Sequence, residues 1–352
     1  MRLLLVPLLA LSACASVSPP PSPPEPLVIA HRGASAERPE HTLEAYDLAI
    51  AQGADFIEPD LVMTSDGILV ARHENEISET TDVASRPEFA SRRTTRTIDG
   101  VATTGWFTED FTLAELKTLR ARERLPQLRP VNTVLDNQFT IPTFAEVLAL
   151  AEARRGGTER PVGVYPELKH PSHFRALGLP MEEVLVATLA HFGHASRASP
   201  IFIQCFEVGP LQRLRRLTGV RLVQLLNDGG APSDRPELPY RTMATAKGLS
   251  TIARYADGVG PAKGLIIPRD AQGRTLQPTF LVADAHAAGL LVHPWTFRPE
   301  NHFLPADLRR GDDPQAHGDM AREIALFTAL GVDGVFTDAP ALTGLTPTGG
   351  RR

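Results

Sequence analysis

Two acidic residues separated by a single position lie near the end of one apolar segment of the chain. Glu58 and Asp60 belong to the segment 56–62, which has the composition of a buried strand. A spacing of two places both carboxylates on the same face of a strand. Because buried like charges are costly unless a cation neutralises them, the pair indicates a divalent metal site with oxygen ligands.

Other groups that bind ions or transfer protons also stand at the ends of apolar segments. His31 comes directly after the first segment, and Glu167 and Lys169 repeat the spacing of two at the end of the third. His73 follows a turn that would fold it back toward the two acids. Histidine both accepts and donates protons near neutral pH, so the set favours acid–base chemistry. Further residues at segment ends are Gln204, Phe206, Trp295 and Asp338.

These residues need elements that bring them together. Eight short apolar segments alternate with stretches of helical periodicity, which predicts βαβ units and a parallel sheet. The predicted strands are residues 27–30, 56–62, 162–168, 201–204, 221–225, 264–267, 290–294 and 334–337. The predicted helices are residues 41–52, 144–154, 181–192, 210–217, 245–255, 278–288 and 320–330. The carboxyl ends of strands in a barrel form the rim on which active sites are built.

One long stretch, residues 74–141, breaks this alternation. It is rich in arginine, threonine and turn-forming residues, and only residues 113–120 have the pattern of a short helix. A loop of this length in a compact domain is usually a functional insertion or a lid. It would lie over the mouth of a barrel. Three of its arginines, Arg92, Arg93 and Arg96, could steer anionic substrates, but we interpret them as a solvated charge run.

Composition narrows the possible partners. The net charge of −5 provides no basic field for phosphate backbones, and an aromatic content of 6% argues against base-stacking surfaces. We therefore expect no nucleic-acid partner, and no obligate protein partner is evident.

Several motifs in order resemble one enzyme family. Residues 27–70, which begin LVIAHRG and include IEPD, are similar to the signature region of glycerophosphodiester phosphodiesterases. The later blocks YPELKHP, QCF, YADGVGP, VHPWT and FTD resemble the periplasmic branch of that family. The resemblance covers residues 27 to about 345. It implies an α/β fold, a TIM-type (β/α)8 barrel with a small insertion after the second strand, the position of residues 74–141.

The resemblance also implies roles for the matched residues. The general acid and base would be His31 and His73. The metal ligands would be Glu58, Asp60 and Glu167, holding one divalent cation, Ca²⁺ first and Mg²⁺ as the alternative. The substrate contacts would be Arg32, Lys169, Gln204, Phe206 and Trp295. The side chains of Arg32 and Lys169 would contact the phosphate, and Trp295 would lie beside the glycerol. One departure is Glu74, where many members have aspartate; we expect it to affect local hydrogen bonding.

The implied function is metal-dependent hydrolysis of glycerophosphodiesters, such as glycerophosphocholine, to glycerol 3-phosphate and an alcohol. A small-molecule phosphodiester would be the partner. Attack could come from the glycerol 2-hydroxyl, through a cyclic phosphate, or from water, and the sequence does not assign acid and base individually. Two alternatives are a phospholipase D-like activity on lysolipids or sphingolipids and a surface lipoprotein that binds such molecules without turnover.

The remaining candidates have less specific interpretations. Glu40 is either an acid near a helix terminus or a residue that supports a ligand of the site, and we favour the first. Asp338 is interpreted as a possible loop cap and Cys205 as a small buried hydrophobic residue. His293 lies at a strand end, and its role in the site stays open. The histidines interpreted as surface or hydrogen-bonded core residues are His170, His173, His191, His194, His286, His302 and His317.

The N-terminus has the pattern of an export signal. An apolar run at residues 3–11 follows Met1-Arg2 and ends in Leu-Ser-Ala-Cys, which resembles the lipobox of bacterial lipoproteins. We predict a signal peptide at 1–14 with lipidation at Cys14, a proline-rich tether at 15–26, the barrel at 27–345 and a tail at 346–352. The protein would then be exported, in the periplasm or anchored at the outer membrane. Ordinary cleavage near Ala13 or Ala15 is the alternative.

Overall fold

The computed structural model describes residues 25–155 and 162–345. Its strands are β1 (Leu27–His31), β2 (Phe56–Glu58), β3 (Asp60–Met63), β4 (Leu69–Ala71), β5 (Thr94–Ile98), β6 (Val101–Gly105), β7 (Gly163–Val164), β8 (Glu167–Leu168), β9 (Phe202–Cys205), β10 (Arg221–Leu226), β11 (Gly258–Pro261), β12 (Leu291–Val292) and β13 (Gly334–Thr337). Its α-helices are α1 (Leu43–Ala51), α2 (Leu113–Leu116), α3 (Phe144–Arg155), α4 (Pro171–Ala176), α5 (Met181–His191), α6 (Val208–Leu217), α7 (Tyr240–Met243), α8 (Ala246–Ile252), α9 (Lys263–Ile266), α10 (Leu281–Ala287) and α11 (Met320–Thr328).

The strands form two mainly parallel sheets and one separate hairpin. One sheet has the order β13-β1-β2-β7, and the other has the order β12-β11-β10-β9-β8-β3-β4. Proline interrupts two strands, since Pro59 separates β2 from β3 and Pro166 separates β7 from β8. Backbone bonds nevertheless continue past both breaks: the amide of Glu167 donates to the carbonyl of Pro59 at 2.9 Å, and that of Gln204 donates to Pro166 at 2.9 Å.

Hydrogen bonds also join the outer strands of the two sheets. The amide of Asp333 donates to the carbonyl of Val292 at 2.9 Å, and that of Phe336 donates to Pro294 at 3.1 Å. Beside them, Phe297 and Thr337 form a parallel bridge. The parallel strands therefore run side by side with their carboxyl ends on one rim, which brings the residues that follow them together.

A compact cluster of buried side chains connects the two sheets. Its members come from, or lie next to, different strands: Ile29, Phe56, Tyr165, Phe202, Val223 and Phe336. Tyr165 and Phe202 stack with ring centroids 4.9 Å apart. A larger core lies between the strands and the helices, as expected for strands covered on both faces.

Residues 74–141, hereafter the 74–141 segment, contain more regular structure than the sequence predicted. The strands β5 and β6 form an antiparallel hairpin, and α2 ends at Leu116, short of the predicted 120. Two of the three arginines interpreted as a solvated charge run are packed instead, whereas Arg93 is exposed. Arg92 lies 4.8 Å from the ring centre of Phe111 and pairs with Glu115. Arg96 lies 5.4 Å from the ring centre of Phe107.

The predicted sixth strand is wrong. Residues 264–267 lie at α9, and the strand is β11, six residues earlier in the chain. Its sequence Gly-Val-Gly-Pro suggests a turn, but a Cβ atom on Gly258 would lie only 3.0 Å from the carbonyl oxygen of Leu291 in the neighbouring strand β12. A Cβ atom on Gly260 would lie 2.6 Å from Cδ2 of Leu225.

Most of the predicted helices are confirmed to within a few residues, including those that became α1, α3, α5 and α11. Among the described residues, no helix is long and apolar enough to cross a membrane. The predicted signal peptide, most of the tether and the C-terminal tail lie outside the described residues.

Candidate active site

Strand register brings the predicted acids together. His31 of β1 is paired with Glu58 of β2, and Asp60 of β3 is paired with Glu167 of β8, which is paired in turn with Gln204 of β9. Oxygen atoms of the three carboxylates lie within 4.8 Å of one another, and all three side chains are buried. The spacing of two and the parallel register together produce the cluster that the sequence suggested.

Each carboxylate has a different set of partners. Asp60 is 3.2 Å from Nε of Arg32, and Glu167 is 2.8 Å from Nζ of Lys169. Glu58 accepts only from neutral groups among the described residues, the amide of Arg32 at 2.9 Å and Nε2 of Gln204 at 3.1 Å. The site therefore holds one buried carboxylate without a cationic side chain bonded to it.

The titration of the three acids reflects this imbalance. Burial, followed by the charges of Asp60 and Glu167, raises the pKa of Glu58 well above its usual range. Burial also raises the pKa of Glu167 to about 8, against the opposing effect of Lys169. Burial acts on Asp60 as well, but Lys169, His73 and Arg32 hold the pKa of its carboxyl well below the usual range.

This donor set fits a hard divalent cation. Three carboxylates offer the oxygen ligands that Ca²⁺ and Mg²⁺ prefer, and a cation would remove the repulsion that raises two of the pKa values. The Oε1 atom of Gln204 is buried beside Glu58 without a hydrogen-bond partner in the described part of the chain. It is an acceptor that a bound ligand could satisfy.

His31 is held by an acid from the last strand end. Its Nδ1 atom lies 2.6 Å from Oδ1 of Asp338. Burial and the charge of Arg32 lower the pKa of His31 to about 4, and neighbouring cations keep Asp338 ionised. The ring is therefore neutral at pH 7 with its proton on Nδ1, which leaves Nε2 as the free base.

His73 has a similar arrangement on the other side of the cavity. Its Nδ1 atom is hydrogen-bonded to Glu74, and its Nε2 atom is 3.3 Å from Nζ of Lys169. Burial, followed by the charges of Arg32 and Lys169, lowers the pKa of His73 to about 3. In both histidines, Nδ1 is thus hydrogen-bonded to a carboxylate, and Nε2 is left for another contact.

Glu40 supports other residues of the site, so the favoured interpretation as an acid near a helix terminus is wrong and the alternative agrees with its contacts. The helix α1 begins at Leu43 behind the N-cap Thr42, and Glu40 is buried. Its carboxylate accepts from Nη1 of Arg32 at 2.8 Å and pairs with Nη2 of Arg124 at 2.7 Å. It thereby positions the guanidinium predicted to contact the phosphate.

Asp338 is also more than a loop cap. Besides His31, its carboxylate pairs with Nη2 of Arg129 at 2.6 Å and with Nε of Arg298 at 2.8 Å. The sequence placed Asp338 at a strand end, but the arginines could not be found because they come from distant, irregular parts of the chain.

A cavity of about 360 Å³ connects these groups. Trp295 and Phe206 form an aromatic wall, with ring centroids 5.7 Å apart and planes at 86°. Apart from Asp60, every predicted site residue lines this cavity: His31, Arg32, Glu58, His73, Glu167, Lys169, Gln204, Phe206 and Trp295. Asn227, Thr296 and Arg298 also line it, and the sequence had not singled them out as site residues.

His41 is a further residue that sequence reasoning missed. It is fully buried, with Nε2 2.9 Å from Oδ2 of Asp60 and Nδ1 2.8 Å from the hydroxyl of Tyr46. It therefore orients one of the three acids. Its position ten residues after His31, before a helix, carried no obvious signal.

The other histidines and the cysteine do not join the cavity. His293 is fully buried, with Nδ1 2.8 Å from the hydroxyl of Tyr165. His170, His173 and His286 pair with acids outside the cavity. Cys205 is buried and free, as predicted.

Comparison with known proteins identifies relatives along almost the whole chain. The sequence model of the glycerophosphoryl diester phosphodiesterase family matches residues 31–342. Glycerophosphodiester phosphodiesterase GDPD6 of Arabidopsis thaliana is 37% identical over 325 residues, which cover 89% of this chain and 83% of the relative. A glycerophosphodiester phosphodiesterase of Haemophilus influenzae is 29% identical over 340 residues, covering 89% of this chain and 87% of the relative.

Solved structures show the same fold. A phosphodiesterase of Oleispira antarctica in complex with the product sn-glycerol-3-phosphate has a TM-score of 0.58 at 22% identity, covering 91% of this chain and 95% of that chain. A glycerophosphodiester phosphodiesterase of Agrobacterium tumefaciens has a TM-score of 0.53 at 21% identity, covering 90% and 98%. These neighbours imply a TIM-like α/β barrel for the chain.

Proposed function

This chain belongs to the glycerophosphoryl diester phosphodiesterase family, and from that premise we propose that it hydrolyses glycerophosphodiesters with the help of one divalent cation. The observation that carries the proposal is the register of β1, β2, β3 and β8, which brings three buried carboxylates within 4.8 Å of one another. Two of them, Glu58 and Glu167, line the same cavity as His31 and His73. Phosphodiesterase activity follows from the family, whereas the metal, the substrate and the residue roles are the proposal.

The architecture proposed is a closed (β/α)8 barrel in which the 74–141 segment is an insertion after the second strand. Hydrogen bonds between the outer strands of the two sheets support closure, since residues 291–297 pair with 333–337. In such a barrel, the described cavity is the C-terminal mouth, where catalytic groups from several strand ends converge.

The metal ligands proposed are Glu58, Asp60 and Glu167. The cation would be Ca²⁺, with Mg²⁺ as the alternative, because both prefer several oxygen donors. When bound, such an ion polarises phosphoryl oxygens and lowers the cost of negative charge at phosphorus. Arg32 and Lys169 line the same cavity, and their charges would hold the anionic phosphate beside the carboxylates.

The acid–base pair proposed is His31 and His73. A phosphodiester has an anionic centre and an alkoxide leaving group, so its cleavage needs one group to remove a proton and another to donate one. Neutral His31, with Nδ1 bound to Asp338, offers Nε2 as an acceptor. His73 lies beside Lys169 across the cavity. Once protonated, it would be the proton donor.

The substrate proposed is a glycerophosphodiester such as glycerophosphocholine, cleaved to glycerol 3-phosphate and an alcohol. The cavity volume of about 360 Å³ suits a small polar ligand. Trp295 and Phe206 would cover the carbon face of glycerol. In the Oleispira antarctica relative the bound product is sn-glycerol-3-phosphate, which supports this substrate class.

The cellular proposal is an exported lipoprotein of the periplasmic branch of the family, with its lipid on Cys14. It is supported by the apolar run 3–11, the Leu-Ser-Ala-Cys sequence and the proline-rich stretch that follows.

The decisive experiment measures glycerol 3-phosphate release from glycerophosphocholine before and after EDTA treatment, followed by addition of Ca²⁺ or Mg²⁺. We expect release that the chelator abolishes and one cation restores. In parallel, Glu167→Gln should weaken metal binding measured by calorimetry, whereas Glu207→Gln should not, because Glu207 is a buried carboxyl outside the triad. Undiminished release of glycerol 3-phosphate after EDTA would contradict the metal proposal. Cleavage of lysolipids alone would overturn the proposed substrate class.

A further inference from the structure

Arg129 is a buried residue of the 74–141 segment with an unusually complete set of partners. Its Nη2 atom is 2.6 Å from Oδ2 of Asp338, and its Nε atom is 2.6 Å from Oε1 of Glu300. Its Nη1 atom donates to the carbonyl oxygen of Ser35 at 2.7 Å. The guanidinium is thus fixed from three directions.

The position of Arg129 determines the orientation of Asp338. One carboxylate oxygen accepts from Nδ1 of His31, and the other pairs with Arg129 and with Arg298. The Arg298 side chain is 25% exposed and that of Arg129 only 6%. Because a buried, fully bonded guanidinium loses little further entropy, Arg129 is the more rigid of the two supports.

Arg124 stands in a corresponding position on the side of His73. Its Nη1 and Nη2 atoms donate to the two oxygens of Glu74 at 3.1 Å and 2.6 Å, a bidentate pair. Glu74 is the carboxylate that binds Nδ1 of His73. Nη2 of Arg124 also pairs with Glu40, which holds the guanidinium of Arg32.

The two arrangements have the same chemical order of arginine, carboxylate and imidazole. A carboxylate bound to Nδ1 fixes the tautomer and the plane of a histidine ring, but only if the carboxylate itself cannot rotate. In both cases a buried arginine of the 74–141 segment restrains the carboxylate, with Arg298 as a second, more exposed support of Asp338. The parallel strands do not require this segment for their own pairing.

We propose that Arg129 and Arg124 are positioning residues that make the 74–141 segment part of the catalytic apparatus, each by fixing the carboxylate that orients one histidine. The inference rests on the proposed roles of His31 and His73. Neither arginine lines the reaction cavity, so both act through the acids and not on the substrate.

The two arginines should have different kinetic effects. Arg129→Gln should lower kcat by about 10- to 100-fold with little change in KM, because only His31 loses its orientation. Arg124→Gln should lower kcat and raise KM, because the Glu40 contact to Arg32 is also lost. Arg129→Lys should recover only part of kcat, since an ammonium cannot reproduce three fixed directions.

Nitrogen NMR of the histidine side chains supplies a readout that does not depend on turnover. In the metal-loaded wild-type protein, His31 and His73 should both be Nδ1–H tautomers. Arg129→Gln should convert His31 to a tautomer mixture and leave His73 unchanged, and Arg124→Gln should do the reverse. Arg122→Gln is the matched control, because Arg122 belongs to the same segment but is half-exposed and 3.6 Å from Asp136.

The outcomes separate the two proposals. If no phosphodiester is cleaved by the wild type, the proposed function fails, while the tautomer shifts still decide the positioning. If Arg129→Gln and Arg124→Gln keep wild-type kcat and both Nδ1–H tautomers, the positioning proposal is overturned. If a glutamine variant fails to fold, the corresponding lysine variant is used for the same two measurements, with the same decision.

Discussion

Each histidine of the candidate site combines an acid on Nδ1 with a neighbouring cation that disfavours protonation. For His31 these are Asp338 and Arg32, and burial together with the charge of Arg32 outweighs Asp338 and lowers the pKa to about 4. A base with a low pKa is weak but fully available at neutral pH. The residues around the histidines therefore determine both how each ring points and when it carries a proton.

The first prediction concerns the two histidines. His31→Ala and His73→Ala should each lower kcat/KM for glycerophosphocholine by at least about 100-fold, the usual contribution of a positioned acid or base. His286→Ala is the matched control, since His286 is half-exposed and pairs with Asp333 away from the cavity. Full activity of either site variant in the release assay would rule out His31 and His73 as the acid–base pair.

The second prediction concerns a carboxyl outside the metal triad. Burial, followed by the charges of Asp234 and Asp99, raises the pKa of Glu207 to about 7. The folded state therefore binds more protons than the unfolded state between pH 4.5 and 7, so the free energy of unfolding falls as pH rises through that range.

Glu207→Gln removes this penalty. Relative to the wild type, the variant's free energy of unfolding in urea denaturation should increase by up to about 3 kcal/mol more at pH 8 than at pH 4.5. The reason is that 1 pKa unit corresponds to about 1.4 kcal/mol. Glu79→Gln, at an exposed position, should show no such difference. An equal effect of Glu207→Gln at both pH values would show that the carboxyl is not strained by burial.

At the scale of single elements, the turn after β1 explains why the site begins with His-Arg-Gly. Arg32 has φ 61° and Gly33 has φ 88°, so the chain leaves the strand through two left-handed residues. A Cβ on Gly33 would lie 2.6 Å from the backbone carbon of Ala45 in α1. The turn thus packs the start of the helix against the strand end that carries His31.

The third prediction follows from this contact. Gly33→Ala should lower the free energy of unfolding by about 3 kcal/mol, because it combines a strained φ with a backbone clash. Gly67→Ala is the matched control: its φ is 80°, but a Cβ there meets nothing within 4 Å, so only about 1 kcal/mol should be lost. If both variants lose the same free energy of unfolding in urea denaturation, the close approach to Ala45 is not the cause.

The success of sequence reasoning differed between kinds of element. Helices were found because their apolar periodicity is strong, whereas β11 was missed because its glycines look like a turn and serve close packing. The hairpin β5–β6 did carry a signal, since Asp99-Gly100 between two short strands is a typical two-residue turn, with φ 50° and 83°. It was overlooked because its strands are mostly exposed and hold little apolar pattern.

The same distinction applies to the site. The acids and histidines at strand ends were predictable because period-two spacing and parallel register are local rules. The supports Arg124, Arg129 and Glu300 were not, because no local rule pairs residues separated by 171 or 209 positions. Only the folded chain shows which arginine neutralises which acid.

At the scale of the whole molecule, these long-range pairs tie the 74–141 segment to the strands. Arg129 connects it to Asp338 and Glu300, and losing one partner of a buried pair leaves an uncompensated charge. We therefore expect the segment to unfold together with the rest of the described chain.

The fourth prediction uses the two tryptophans of the sequence, one in the 74–141 segment and one outside it. Trp106 reports on the segment, where its Nε1 atom donates to the carbonyl of Phe89, and Trp295 reports on the cavity. In the variants Trp106→Phe and Trp295→Phe, the remaining fluorescence should show the same urea midpoint as the far-ultraviolet circular dichroism. An earlier midpoint for Trp106 would mean that the segment is an independently unfolding unit.

The last prediction concerns how the molecule is placed in the cell. If Cys14 carries lipid, more than one acyl chain would anchor the protein stably, while a proline-rich tether would keep the barrel off the surface. Cys14→Ser should therefore move the protein from the membrane to the soluble fraction of a Gram-negative host. Because every residue of the candidate site lies between 31 and 338, kcat/KM should be unchanged. A wild-type protein already in the soluble fraction would favour ordinary cleavage near Ala13 or Ala15, and a change in kcat/KM would mean that the N-terminus reaches the cavity.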